Sequence, residues 1–117
     1  MRLTEISYDA AKPIDGYGPG FFRIDNKVLY GPCLITPWAA GAWGGFADTA
    51  APLALAGKID VLFIGMGAEI AHIPGAFREA LETAGIGVEV MNSPAAARTY
   101  NVLLSEGRRI AAALLPV

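Results

Sequence analysis

The sequence predicts an α/β domain organised around two parallel strands, and three observations lead there. Residues 59–64 are apolar at nearly every position, as expected of a strand buried on both faces. A helix-period segment over 74–84 follows, with Phe77, Ala80, Leu81 and Ala84 on one face, and residues 88–91 then read as another strand. The unit 59–91 has the length of a right-handed crossover between parallel strands. Ahead of it, Phe21–Ile24 and Lys27–Tyr30 flank Asp25-Asn26, two residue types that tolerate positive φ. That is the pattern of a two-residue β-hairpin.

The remaining elements follow from local chemistry. Residues 1–19 read as an extended leader, because Pro13, Gly16, Gly18 and Pro19 crowd its end, and 20–117 as the core of a single domain. Cys33–Thr36 forms a short strand between Pro32 and Pro37. The segment from Trp38 to Phe46 reads as a loop, since Gly41, Gly44 and Gly45 disfavour helix by about 1 kcal/mol each relative to alanine. Asp48 or Thr49 caps a helix ending near Ala56, with Gly57 as its exit. Ser93 and Pro94 open a third helix as N-cap and first residue, with Ala96, Tyr100 and Leu103 on its core face and Glu106-Gly107 at its end. Residues 108–115 make a final strand, basic at its entrance and apolar afterwards.

Composition narrows the function classes. The chain has 117 residues, 54% hydrophobic and 17% charged, below the usual charged fraction of about 25%. Either a sheet covered on both faces or an exposed apolar patch for a partner explains that excess. A net charge of −2 and scattered basic residues give no stripe for nucleic-acid phosphates. Cys33 is the only cysteine, so no intramolecular disulfide forms, which fits a reducing, cytoplasmic setting. Glu5 and Asp9 interrupt the region where a signal peptide needs an apolar core, and Glu69, His72 and Pro74 break the most apolar stretch well short of a membrane span.

Candidate binding residues cluster in two places. Gly65-Met66-Gly67 follows the buried strand, where a glycine turn either simply closes the chain or lets a phosphate approach the backbone; a dinucleotide fingerprint would need a third glycine where Ile70 stands. Ser93 at a helix start is a plain cap or part of an anion site. If both strands are parallel, the Gly65–Gly67 and Asn92–Ser93 loops open on one sheet edge, and a crevice between them is the place for a ligand. Arg98, Asn101 and Ser105 share a helix face that is either solvated or, with Arg108, a site for a carboxylate or phosphate. Trp38, Trp43 and Phe46 are the aromatic anchors a protein interface would use. His72 lacks companions of metal-ligand type, Cys33 cannot be paired with a base from spacing alone, and no cofactor is implied.

The run from Val88 through Asn92-Ser93-Pro94-Ala95-Ala96-Ala97-Arg98-Thr99-Tyr100-Asn101 to Leu103, followed by Glu106-Gly107-Arg108-Arg109, resembles a known small α/β family. It is the family of the mitochondrial respiratory complex I assembly factor 3 and its bacterial homologues. The resemblance extends to Gly20-Phe21-Phe22-Arg23-Ile24, Tyr30-Gly31, Pro37-Trp38 and Leu62-Phe63-Ile64-Gly65-Met66-Gly67, nearly everything after the leader. It implies a three-layer domain with a central mixed, largely parallel sheet, flanking helices and an attached N-terminal β-hairpin. It also implies a non-enzymatic assembly or chaperone-like factor that binds a protein partner. Met66 stands where many relatives carry threonine, and Ala97 where many carry cysteine, which removes thiol chemistry from that helix. The alternative is a small-molecule or anion-binding domain using Gly65, Gly67, Ser93, Arg98, Asn101 and Arg108. Self-association stays open under either.

Overall fold

Asp25 and Asn26 both take left-handed backbone conformations, with φ of 53° and 62°, and so close the tight hairpin that their residue types predict. The computed structural model describes residues 12–117. Within it, β1 (Ile14–Gly18), β2 (Phe21–Ile24) and β3 (Lys27–Tyr30) form an antiparallel three-stranded sheet. β1 corrects the expectation of a leader ending at residue 19, because glycines in an edge strand still pair: Tyr17 faces Phe22, and Ile14 is buried. Residues 1–11 of the segment read as leader lie outside the described residues.

The chain then builds a five-stranded sheet from β4 (Cys33–Thr36), β5 (Ala39–Ala42), β6 (Val61–Met66), β7 (Gly87–Met91) and β8 (Ile110–Leu115), in the order β5-β4-β8-β6-β7. Pairing is parallel between β7, β6 and β8 and antiparallel between β8, β4 and β5, so the sheet is mixed. The final strand sits in the middle of this sheet, which explains its unbroken apolar run. Ile110, Ala112 and Leu114 enter one core, while Ala111 and Ala113 enter the other.

Three layers result. On one face, α3 (Ser93–Ser105) and the hairpin sheet pack Ala96, Tyr100, Leu104, Phe22 and Ile24 against Ile35, Phe63 and Leu114. On the other, α1 (Ala50–Leu53) and α2 (Gly75–Thr83) cover Leu62, Ile64 and Val88 with Phe77 and Leu81. Sequence periodicity placed α2 well, although Ala84 is exposed beyond its end.

Several local expectations change. The expected loop after Trp38 contains β5, because Ala39–Ala42 pairs with β4 residue for residue despite its weak strand propensity. The helix expected to reach Ala56 is one turn, and Asp48, not Thr49, supplies the cap, its Oδ1 accepting from Ala51 N at 3.1 Å. The cap of α3 is Asn92, whose Oδ1 accepts from Ala95 N at 2.8 Å. Ser93, expected to be that cap, is engaged elsewhere.

Candidate functional site

Because β6 and β7 are parallel neighbours with Gly65 opposite Met91, their exits share one rim, as the sequence predicts. The two exits are bonded together there. Ser93 N–H donates to Gly67 O at 2.8 Å, Gly67 N–H donates to Ser93 Oγ at 2.8 Å, and Ser93 O–H donates to the Leu115 carbonyl at the end of β8. One hydroxyl therefore joins the ends of all three parallel strands. Ser93 is completely buried, and a Cβ added to Gly65 would lie 2.6 Å from Ser93 Oγ and 2.7 Å from its Cα. Gly65 is required by this close approach, not by a phosphate.

These contacts correct the expected crevice: the space between the Gly65–Gly67 and Asn92–Ser93 loops is occupied by Ser93 itself. The other residues assigned to that ligand do not converge. Arg98 and Arg108 are exposed, and Arg108 follows the far end of a helix that spans about 20 Å, the length expected of its turns. Asn101 serves a different purpose. Its Oδ1 accepts from Ile14 N at 2.8 Å and its Nδ2 donates to Ile14 O at 2.9 Å, so it holds β1 against α3 as another strand would. Arg109 donates to Gly57 O at 2.9 Å and lies 3.5 Å from Asp60.

The aromatic candidates separate just as clearly. Trp43 is buried, its Nε1 donating to Asp48 O at 3.0 Å and its ring meeting Phe46 and Phe77 at centroid distances of 5.5 and 5.9 Å. It is a core anchor, which corrects its assignment to an interface; the half-buried Phe46 packs with it, 5.1 Å from Phe77. Trp38 alone remains a surface anchor, half exposed at the turn between β4 and β5. It borders a groove of about 340 Å³ that Lys27 and Leu29 line from the hairpin and Pro37, Ala39 and Ala40 from the sheet. Val28 and Tyr30 of β3 are exposed as well. The sequence carried a signal for them: β3 is apolar at three consecutive positions, Val28, Leu29 and Tyr30, more than a half-buried strand needs.

The titratable groups in the core are sealed. Burial pushes the Cys33 thiol up to about 12 and raises the Tyr100 phenol as well. Cys33 Sγ is thus a packing group at neutral pH. Among the described residues, no three of His, Cys, Asp and Glu gather as metal ligands would, and no helix is long and apolar enough to cross a membrane.

A family model described as "Protein of unknown function (DUF498/DUF598)" matches residues 14–115, from the first residue of β1 to the last of β8. The chain belongs to that family. A protein of Rhodobacter capsulatus described as uncharacterized is 56% identical over 117 residues, covering all of this chain and 94% of its own. The NADH dehydrogenase [ubiquinone] 1 alpha subcomplex assembly factor 3 of Danio rerio is 36% identical over 123 residues, covering 99% of this chain and 71% of its own. Among solved structures, a Mth938-like domain from Bordetella pertussis superposes with a TM-score of 0.77 at 26% identity, covering 99% of this chain and 92% of its own. The family match begins at Ile14, the residue that Asn101 holds, so the family domain includes β1.

Proposed function

We propose that this chain is a non-enzymatic, protein-binding assembly factor acting in the assembly of a respiratory NADH dehydrogenase complex. The observation that carries the reading is the 36% identity to assembly factor 3 of that complex over 99% of this chain. The surface fits a binding role: Trp38, Tyr30 and Val28 are exposed apolar side chains, and Trp38 borders the groove. The ligand-binding alternative has less support, because Ser93 is buried and its hydroxyl is already bonded to Gly67 N and Leu115 O.

A photocrosslinking residue placed at position 38 tests the interface in the native host. The expected product is a discrete adduct with a subunit or assembly intermediate of the complex. A crosslinker at exposed Arg98, on α3, should give none. Equal labelling from both positions, or none from position 38, would contradict the assignment.

A further inference from the structure

The five-stranded sheet has two edges, β5 and β7, and they differ in how they meet solvent. On β7, Glu89 is exposed and Arg78 Nη1 reaches the Val88 carbonyl at 3.4 Å. Charges on an edge strand guard it against pairing with another chain. β5 carries no charge of its own: residues 37–47 contain no charged side chain, and Ala39, Ala40 and Ala42 are exposed among the described residues, with Lys12 and Lys27 set back across the groove on the hairpin side.

Its pairing with β4 fixes which backbone groups point outward. Trp43 N–H donates to Pro32 O at 2.9 Å, and the N–H and C=O of Ala39 both bond the Thr36 hydroxyl. Antiparallel bonding alternates along a strand, so the odd-numbered residues face β4 while Ala40 and Ala42 turn their N–H and C=O away from it. No described residue bonds those groups.

We propose that β5 pairs with β5 of a second copy of this chain, antiparallel about a two-fold axis at Gly41. In that register Ala40 of each protomer opposes Ala42 of the other, and each such pair exchanges both of its hydrogen bonds. Trp38 then comes level with Gly44 of the partner subunit. The uncharged stretch meets itself without like-charge repulsion. A stable dimer buries about 800 Å² per partner, roughly one eighth of this chain's 6213 Å². A four-residue ladder supplies part of that; Trp38 at 50% exposure, with Tyr30 at 76% and Val28 at 38% on neighbouring β3, supplies apolar surface for the rest. The pairing draws on the same exposed Trp38, Val28 and Tyr30 as the assembly interface above, so a position-38 adduct with a second copy and one with a complex subunit report the two readings separately.

Sedimentation and light scattering of the full chain across a wide concentration series test it. The wild-type chain should show a concentration-dependent dimer. Ala42→Pro should be monomeric, because proline removes an outward N–H while leaving every bond to β4 intact. Ala42→Lys, which adds charge and bulk to the same edge, is the second variant, and thermal melts by circular dichroism confirm that both fold. A wild-type chain that stays monomeric throughout, or a dimer that survives in both folded variants, overturns the pairing. So does a wild-type monomer whose position 40 crosslinks only to a different protein.

Discussion

At the scale of single residues, the rim of the parallel strands is a structural joint. Ser93 Oγ both accepts from Gly67 N and donates to Leu115 O in a fully buried setting, so Ser93→Ala leaves two backbone groups without partners. Urea denaturation should show a loss of about 2–4 kcal/mol, more than the ~1 kcal/mol typical of a helix cap. A loss at cap level would return Ser93 to the role its sequence context predicts. Tyr100 presents the opposite case. Its hydroxyl is buried and bonds to none of the described residues, so Tyr100→Phe removes a polar group they leave unmet and keeps the ring. Stability should stay level or rise; a clear fall would reveal a partner for the hydroxyl.

At the scale of elements, the hairpin sheet is held to the rest of the domain through α3. Phe22 and Ile24 bury apolar surface against α3, and Asn101 adds a two-bond clasp on Ile14. Asn101→Ala should cost about 1–3 kcal/mol and raise amide exchange in β1 more than in β6. Uniform loss of protection across both strands would mean that the clasp is not local. The hairpin and the parallel unit were legible in the sequence because each rests on local signals: two turn residues that accept positive φ, and an apolar strand followed by an amphipathic helix. β5 was not, because Ala39-Ala40-Gly41-Ala42 has little strand propensity and owes its conformation to β4. The same limit applied to Trp43, which looks like an interface residue until α2 brings Phe77 beside it. Asn92 and Ser93 are adjacent cap formers, and only the long-range bonds to Gly67 and Leu115 decide between them.

For the whole molecule, the buried Cys33 thiol and Tyr100 phenol make stability fall at alkaline pH. Cys33 is held protonated up to about 12 in the folded chain, whereas an unfolded thiol ionises near pH 8.5 and an unfolded phenol near pH 10. The folded state therefore binds more protons at alkaline pH. Stability from these groups is fully present below about pH 8.5 and is lost as pH rises toward about 12, by at most about 1.4 kcal/mol per pH unit per group. Chemical denaturation at stepped pH should show this decline, and Cys33→Ala should delay its onset toward the tyrosine range. A flat profile would mean that the thiol is already solvated in the folded chain. The candidate ligand site was less legible than the fold. Its rim was inferred correctly from strand direction, but whether the rim is open depends on side-chain packing that spacing does not encode.

The proposed role in assembling a respiratory NADH dehydrogenase is tested by deleting the gene in the native host and resolving membrane complexes on native gels stained for NADH oxidation. The expected result is a smaller amount of the full-size complex with accumulated subassemblies, both restored by the wild-type gene. A full-size complex present at normal abundance and formed at the normal rate in the deletion strain would contradict that role.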